Sequence, residues 1–400
     1  MNLTTGYPYW LINSGLPNAY PKLEKSIKTD VVIIGGGISG ALTAYYLINA
    51  GIDCMVVDAR TIGLGSTCAS TSLLQYELDK PLSALTDIIG WDAAMRSYKL
   101  CSKAIDTLQK ISDKIKFQHF EKRESLFFAA KKNDQKMLEL EFASRKKAGL
   151  DVQLLNEKDI ANQFGFVSQA AILSAQGATT NAYLLTHALL QDSIKKGLLV
   201  FDRTEISKII YHKRSLKLHT LNGSIISAGK MVNAAGYEIN EFIEKKIVML
   251  HSTYALASEN LSANTLPWKN KAMLWNTADP YIYMRMTEDN RIILGGRDEE
   301  FYSPQKRDKL IRRKTALLKK DFEKLFPEIN FIPEFSWTGT FGATKDALPY
   351  IGNYSKTPLT YYALGFGGNG ITFSVIAAGI IRDLIVGKKN KDQDLFSFSR

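Results

Sequence analysis

A fold of class α/β plus α+β, with a parallel-sheet domain built from separated stretches of chain and a mixed-sheet domain inserted between them, is what this 400-residue sequence predicts. Three features predict it. Near the N-terminus the apolar run Asp30-Val31-Val32-Ile33-Ile34 ends in a glycine cluster and is followed by residues at helical spacing, the opening of a βαβ unit. Short apolar stretches that end in small residues return in the middle, at Met231 to Gly236, and near the end, from Trp337 to Gly370. Between them, residues 248–300 hold several short strand-like runs without long helices.

The elements follow in order. Residues 1–29 carry Tyr7-Pro8-Tyr9-Trp10, Pro17 and Pro21 and read as an ordered arm leading into the first strand. The run at 30–34 does not alternate with polar residues, as expected of a parallel strand buried on both faces. Ile38, Ala41, Leu42, Tyr45 and Ile48 recur near helical spacing, Gly51 stops that helix, and Cys54 to Asp58 is a second buried strand. Trp91, Ala94, Met95, Tyr98, Cys101, Ile105 and Leu108 mark one face of a long helix. A strand at Ser125 to Ala130 and a helix near Asp134 to Lys147 come next. Asn222-Gly223 is a hairpin signal. Strands are expected at Met249 to Ser258, Tyr281 to Met286 and Ile292 to Gly296, then a basic helix near 304–325 and an apolar one from Ile371 to Val386.

Composition narrows the function classes. With 45% hydrophobic and 23% charged residues the chain has ample core. Its formal charge is +11, but the basic residues are spread over predicted amphipathic helices, as in Lys131-Lys132, Arg145-Lys146-Lys147 and Arg312-Arg313-Lys314. A solvated basic surface is expected, and no nucleic-acid partner. Cys54, Cys68 and Cys101 form no C-x-x-C pair, which fits a reduced, cytoplasmic compartment. Met1 to Tyr9 has no secretory pattern, and Val31 to Ala50, broken by four glycines, is too polar to span a membrane. The five histidines are dispersed without metal spacing.

The chemistry concentrates in three glycine-rich segments. Gly35-Gly36-Gly37-Ile38-Ser39-Gly40 fits G-x-G-x-x-G: Gly35 permits the tight turn, Gly37 lets backbone approach a pyrophosphate, and Gly40 lets the helix pack close on the strand. The helix N-terminus offers N–H groups and a positive dipole end. Asp58 follows Gly40 by 18 residues at the end of the next strand, placed for ribose hydroxyls. Ala59 and Arg60 continue the turn, and Asp58 would repel a 2′-phosphate there. A second glycine and hydroxyl loop, with Gly65, Ser66 and Thr67, is suited to the far side of the pyrophosphate. The third, Gly365-Phe366-Gly367-Gly368-Asn369-Gly370, opens the last helix, whose N-terminus would stabilise negative charge on a reduced flavin. An NAD dehydrogenase has no need of this loop, so FAD is the expected dinucleotide.

In this order, the segments resemble the D-amino-acid oxidase superfamily, in the glycine oxidase, sarcosine oxidase and γ-glutamylputrescine oxidoreductase group. The markers are GGGISG with Asp58, the G-x-G-S-T loop, VNAAG at 232–236, the run from Trp337 to Gly352 that contains Thr344-Lys345-Asp346, and GFGGNGIT at 365–372. The resemblance implies FAD, oxidation of a C–N bond by hydride transfer to flavin, and hydrolysis of the resulting imine. It adds Ile206, Ala234, Ala235, Gly236, Ile371 and Thr372 to the cofactor set. It implies an FAD-binding domain from 1–85, 150–236 and 337–400, and a substrate domain from 86–149 and 237–336. The partners expected are a small amine-bearing substrate and an electron acceptor, oxygen or another.

One departure matters. Glycine-oxidase-like members carry Arg-Pro where this chain has Phe341-Gly342, so the arginine that clamps a substrate carboxylate is missing. Arg285 and Arg297 are the candidate replacements, and Phe341 becomes an apolar wall. Tyr254, on a strand that floors the family's pocket, and Tyr281 and Tyr283 are candidate substrate contacts. No cysteine follows Cys101, so the flavin tether of the sarcosine oxidase branch is absent and FAD is expected to be noncovalent. Two other readings remain at this point: a flavoprotein acting on RNA or serving as an accessory FAD domain, and an NAD(P)-dependent dehydrogenase.

Overall fold

The computed structural model describes all residues except 242, 244–246 and 263–267. The parallel sheet grows outward from Ile27–Ile34. Cys54–Val57 flanks it on one side, extended by Leu199–Phe201, and Ile225–Asn233 flanks it on the other, all parallel. Ile225–Asn233 is shared. Its first residues pair antiparallel with Leu216–Thr220, which continues to Ile206–Tyr211, and its last three pair with Thr360–Leu364. Strands from the start, middle and end of the chain thus meet in one sheet, the discontinuous assembly expected. Its continuous apolar run has a direct cause. Val31 and Ile33 face a core shared with Ala41, Leu189 and Ile376, while Val32 faces another shared with Met55, Val57 and Leu218.

The second sheet is mixed and nine-stranded. Its order is Thr5–Gly6, Pro333–Ala343, Met249–Ser258, Ile292–Glu299, Tyr283–Met286, Met273–Asn276, Ser125–Phe128, Ala170–Ser174, Val152–Asn156. One face packs on the helix Pro304–Leu325 through Tyr254, Leu256, Leu294, Leu318 and Phe322. Alternate residues Ala255 and Ala257 turn the other way, onto Tyr9 and Trp337. The N-terminal arm therefore takes part in the fold, pairing Thr5 with Thr338.

Three expectations differ from what is observed. Residues 152–174, expected with the nucleotide domain, supply the last two strands at one end of the nine-stranded sheet, and Pro333–Ala343 carries the C-terminal segment into it. The helix Trp91–Lys114, expected with the substrate domain, buries Ala94, Tyr98, Cys101, Ile105 and Leu108 in the core of the parallel sheet beside the final helix, Gly370–Ile385. The basic triplets are not all solvated either: Arg145 is fully buried and Lys314 nearly so. Among the described residues no helix is long and apolar enough to cross a membrane.

Candidate functional site

The first glycine segment is built by close approach. Gly35 takes φ +105°, and its N–H donates to the Val57 carbonyl across the sheet. A Cβ on Gly40 would lie 1.8 Å from the Gly35 carbonyl oxygen, so only glycine lets the helix Ile38–Ile48 start this close to the strand. The Ile38 N–H donates to the Thr67 hydroxyl at 3.1 Å, which ties the second loop to the first. Asp58 accepts from the N–H groups of Gly36 at 2.6 Å and Arg60 at 2.8 Å. Burial pushes its carboxyl up, and those two amides pull it back. The Arg60 guanidinium is occupied, donating to Glu238 at 2.8 Å and to the Met1 carbonyl at 2.7 Å.

These loops line one cavity of about 570 Å³, within the range of cofactor sites. Gly35, Gly37, Ile38, Ser39, Asp58, Ala59 and Arg60 face it, as do Gly65, Ser66, Thr67 and Ile206. Ala234, Ala235, Gly236, Gly365, Gly367, Gly368, Gly370 and Ile371 complete that lining. The glycines fit a dinucleotide: a Cβ on Gly37 would press to 2.8 Å from the Thr67 hydroxyl, filling the space between the two loops. Of the expected cofactor residues, Gly40, Asn369 and Thr372 do not face the cavity. Asn369 instead donates to the Gln75 and Glu77 carbonyls, holding the segment beneath the third loop, and Thr372 donates to the Asn369 carbonyl. The Gly368 N–H is also taken, by Asp79 at 2.9 Å. The last helix therefore meets the cavity at its N-terminal residues Gly370 and Ile371.

The nine-stranded sheet closes the cavity with Thr253, Tyr281, Tyr283, Asp298 and Gly339 to Phe341. Tyr283 pairs with Gly295, where a Cβ would lie 2.4 Å from the phenol ring, so the bare strand leaves room for the ring to lie across it. Tyr281 sits 5.7 Å from Tyr283 between ring centroids and donates to Asp79 at 3.0 Å. Asp79 thus joins the aromatic wall to the glycine loop. Phe341 stacks on its cross-strand partner His251 at 5.2 Å. Burial pushes the Asp298 carboxyl up to about 7, with the Thr253 hydroxyl pulling down and the Asp79 carboxylate pushing up.

The candidate substrate residues divide. Tyr283 and Phe341 line the chamber. Tyr254 and Arg285 do not, and Arg297 does not. Arg285 is buried behind the wall, donating to the carbonyls of Ser72, Thr180 and Met286 and lying 5.3 Å over the Trp10 ring. Burial brings its guanidinium down to about 10. Arg297 turns outward to a two-bond pair with Asp321. Tyr254 is one residue out of phase: its ring lies in the core under the helix Pro304–Leu325, and its neighbour Thr253 faces the cavity. Alternation could have found this, because Tyr254 and Leu256 share parity and form the apolar face. Tyr254→Phe is therefore expected to leave turnover within about twofold and to raise stability by up to about 1 kcal/mol, since the phenol oxygen has no hydrogen-bond partner. A tenfold loss of kcat would return the phenol to the site.

Asp298, Thr253 and Asp79 carried no motif that marked them. Lys345 does not line the cavity, and Asp346 anchors Arg400 and the Leu348 N–H. Among the described residues no cysteine lines the cavity. Cys68 is packed, with its thiol pushed up to about 12 by burial.

Comparison with known proteins identifies the family. A family model described as FAD dependent oxidoreductase, DAO, matches residues 30–384. The γ-glutamylputrescine oxidoreductase of Escherichia coli (strain K12) is 23% identical over 399 residues, covering 95% of this chain and 88% of its own. The glycine oxidase of Bacillus subtilis (strain 168) is 23% identical over 387 residues, covering 92% and 96%. Among solved structures, L-proline dehydrogenase from P. horikoshii has the same fold, with a TM-score of 0.79 at 20% identity over 93% of this chain and 97% of that one.

Proposed function

The chain belongs to the DAO family of FAD-dependent oxidoreductases, and from that premise we propose that it oxidises a C–N bond of a small amine, giving an imine that water hydrolyses. The observation that carries this reading is the chamber at the sheet end of the cavity. It has tyrosine and phenylalanine walls and a carboxyl group, and the arginines nearest in sequence to it are committed elsewhere. Among the described residues the one arginine that lines the cavity is Arg60, beside Asp58 and engaged by Glu238, so a carboxylate-bearing substrate meets no free guanidinium in the chamber, whereas an amine finds an acceptor and aromatic rings.

Bound FAD supplies the acceptor for the hydride that leaves the carbon beside nitrogen. The residues of this chain do the rest. Asp58 is placed to hold ribose hydroxyls, and the N-terminus of Ile38–Ile48 to hold the pyrophosphate. The Gly365–Gly370 loop, tied to Tyr281 through Asp79, fixes how the aromatic wall meets the cofactor. Tyr283 and Phe341 exclude water from the reacting carbon.

The test is anaerobic bleaching of the purified flavoprotein by a panel of primary amines, N-methyl amino acids and α-amino acids. Readmission of air then identifies the acceptor. Amines that lack an α-carboxylate are expected to bleach the flavin. Bleaching by 2-hydroxy acids alone, or by no amine in the panel, would overturn the reading.

A further inference from the structure

The strand Ile292–Glu299 carries an irregularity with a chemical consequence. Its partner Met249–Ser258 pairs Tyr254 with Gly296 but Ser252 with Glu299, so three steps on one strand match two on the other. The extra residue sits where Gly296 has φ +137° and Arg297 φ +58°. A non-glycine residue in the left-handed region costs free energy and persists only where its surroundings hold it. Here Asp321 grips the Arg297 side chain and the Lys314 ammonium donates to the Arg297 carbonyl at 2.6 Å. In regular pairing residue 298 would oppose Ser252, on the face of Tyr254. The bulge moves it to the face of Thr253, and Asp298 enters the cavity. Its Oδ1 is buried away from solvent and has no hydrogen-bond partner in the protein, while the residue as a whole is half-buried and lines the cavity.

We propose that Asp298 recognises the cationic nitrogen of the substrate, which makes this an enzyme for ammonium-bearing amines with no carboxylate at the reacting end. The assignment deepens the amine-oxidising reading and rests on it for the chemistry that follows binding. Tyr281 and Tyr283 line the same cavity as the carboxylate, and aromatic rings together with a carboxylate favour a cation over a neutral or anionic group. In the bound pair the carboxylate takes one ammonium proton. One N–H bond breaks and one O–H bond forms, and the neutral amine and neutral acid have the same summed charge as the ion pair they replace. The amine is then in the form that can release hydride.

Groups around Asp298 are consistent with this use. The carboxylates of Asp79 and Asp279 push its proton affinity up, while Lys314 and the Thr253 hydroxyl pull it down. Tyr281 and Tyr283 are raised by burial and stay protonated. Burial leaves Asp298 titrating at about 7, between an ordinary carboxylate and an ammonium, as suits a group that must both bind the charge and accept the proton.

The test uses three tert-butyl probes on the FAD-loaded protein: tert-butylammonium, its neutral isostere tert-butanol, and the anion pivalate, each read by perturbation of the flavin spectrum. tert-Butylammonium has no C–H beside nitrogen, so it cannot be oxidised and binding is read without turnover. The cation is expected to bind best, and to bind more tightly as pH rises through about 7. Asp298→Asn should weaken it by about 10- to 100-fold and remove the pH dependence, while Asp298→Glu keeps the preference for the cation. The wild-type pH series needs no variant, so a misfolded Asn form would not leave the matter open. Equal binding of pivalate or tert-butanol, pH-independent cation binding, or an Asn variant that binds like wild type overturns the assignment. Cation binding as described, with no oxidisable amine bleaching the flavin, would sink the amine-oxidising reading and leave the Asp298 site standing.

Discussion

Replacing Arg145 with methionine is expected to destabilise the protein by about 3–5 kcal/mol and to loosen its hold on FAD. Arg145 is fully buried between two fully buried carboxylates, 2.7 Å from Glu141 and 3.2 Å from Glu77. Its guanidinium also lies 5.6 Å from the Phe127 ring centroid and 5.8 Å from that of Tyr76. Burial raises both carboxyls, but they end differently. Glu141 also accepts from the N–H groups of Leu82 and Ser83 at the start of the helix Leu82–Ile89, and with Arg145 these hold it below its usual value. For Glu77, burial outweighs Arg145 and its proton affinity stays raised. Removing the guanidinium leaves Glu141 buried without its counter-charge, and that orphaned charge sets the size of the effect. The loss reaches the cavity by a short route. The Glu77 carbonyl accepts from Asn369 at 2.8 Å, and two residues on Asp79 accepts from Gly368 and Tyr281. Thermal unfolding and retained flavin should therefore fall together in Arg145→Met, and a second change of Glu141 to Gln should restore part of both. An unchanged midpoint would mean that the pair contributes nothing net.

Arg145 also shows where sequence reading stops. In the run Arg145-Lys146-Lys147 it is indistinguishable from a solvated cation, because nothing local records that Glu77, 68 residues away, will face it. Close-range constraints were legible: glycines at fixed spacing, the acid ending the next strand, an unbroken apolar run for a strand buried on both faces. Each is decided within about thirty residues, and each faces the cavity or shapes it. What was hidden depends on register across the mixed sheet. Tyr254 and Thr253 exchange roles on a one-residue shift, and the bulge at Gly296-Arg297 gives Asp298 the parity of a residue one step away. The resemblance to the family identified Phe341 as an unusual wall, but it offered Arg285 and Arg297 as clamps. Only packing shows that one satisfies backbone carbonyls and the other faces Asp321. The domain boundaries blurred for the same reason, since Ala170–Ser174 finds its partners in Ser125–Phe128 and Val152–Asn156 and not in the parallel sheet.

The glycines of the first loop make a graded test of how the cofactor end is built. Gly40→Ala is expected to give protein that folds poorly or emerges without flavin, with FAD affinity down on the order of 100-fold. The added methyl would meet a backbone carbonyl at 1.8 Å, and neither the Gly35 turn nor the helix Ile38–Ile48 can yield without moving the strand end. Gly35→Ala should be nearly as severe, for it combines φ +105° with a contact of 2.5 Å to the Ala234 carbonyl oxygen. Gly36→Ala differs in kind. Its clash at 2.1 Å is with the terminal methyl of Ile62, the far end of a flexible side chain, so rotation of Ile62 should restore most of the affinity. Gly37→Ala falls between, because the Thr67 hydroxyl it meets at 2.8 Å would have to give up the Ile38 N–H. Flavin content per chain after gel filtration, followed by titration of the apoprotein with FAD, reads the series directly. The expected order of damage is Gly40, Gly35, Gly37, Gly36. If Gly36→Ala were the worst of the four, the loop would be recognised by its flexibility. The observed order would then have nothing to do with how closely helix and strand approach.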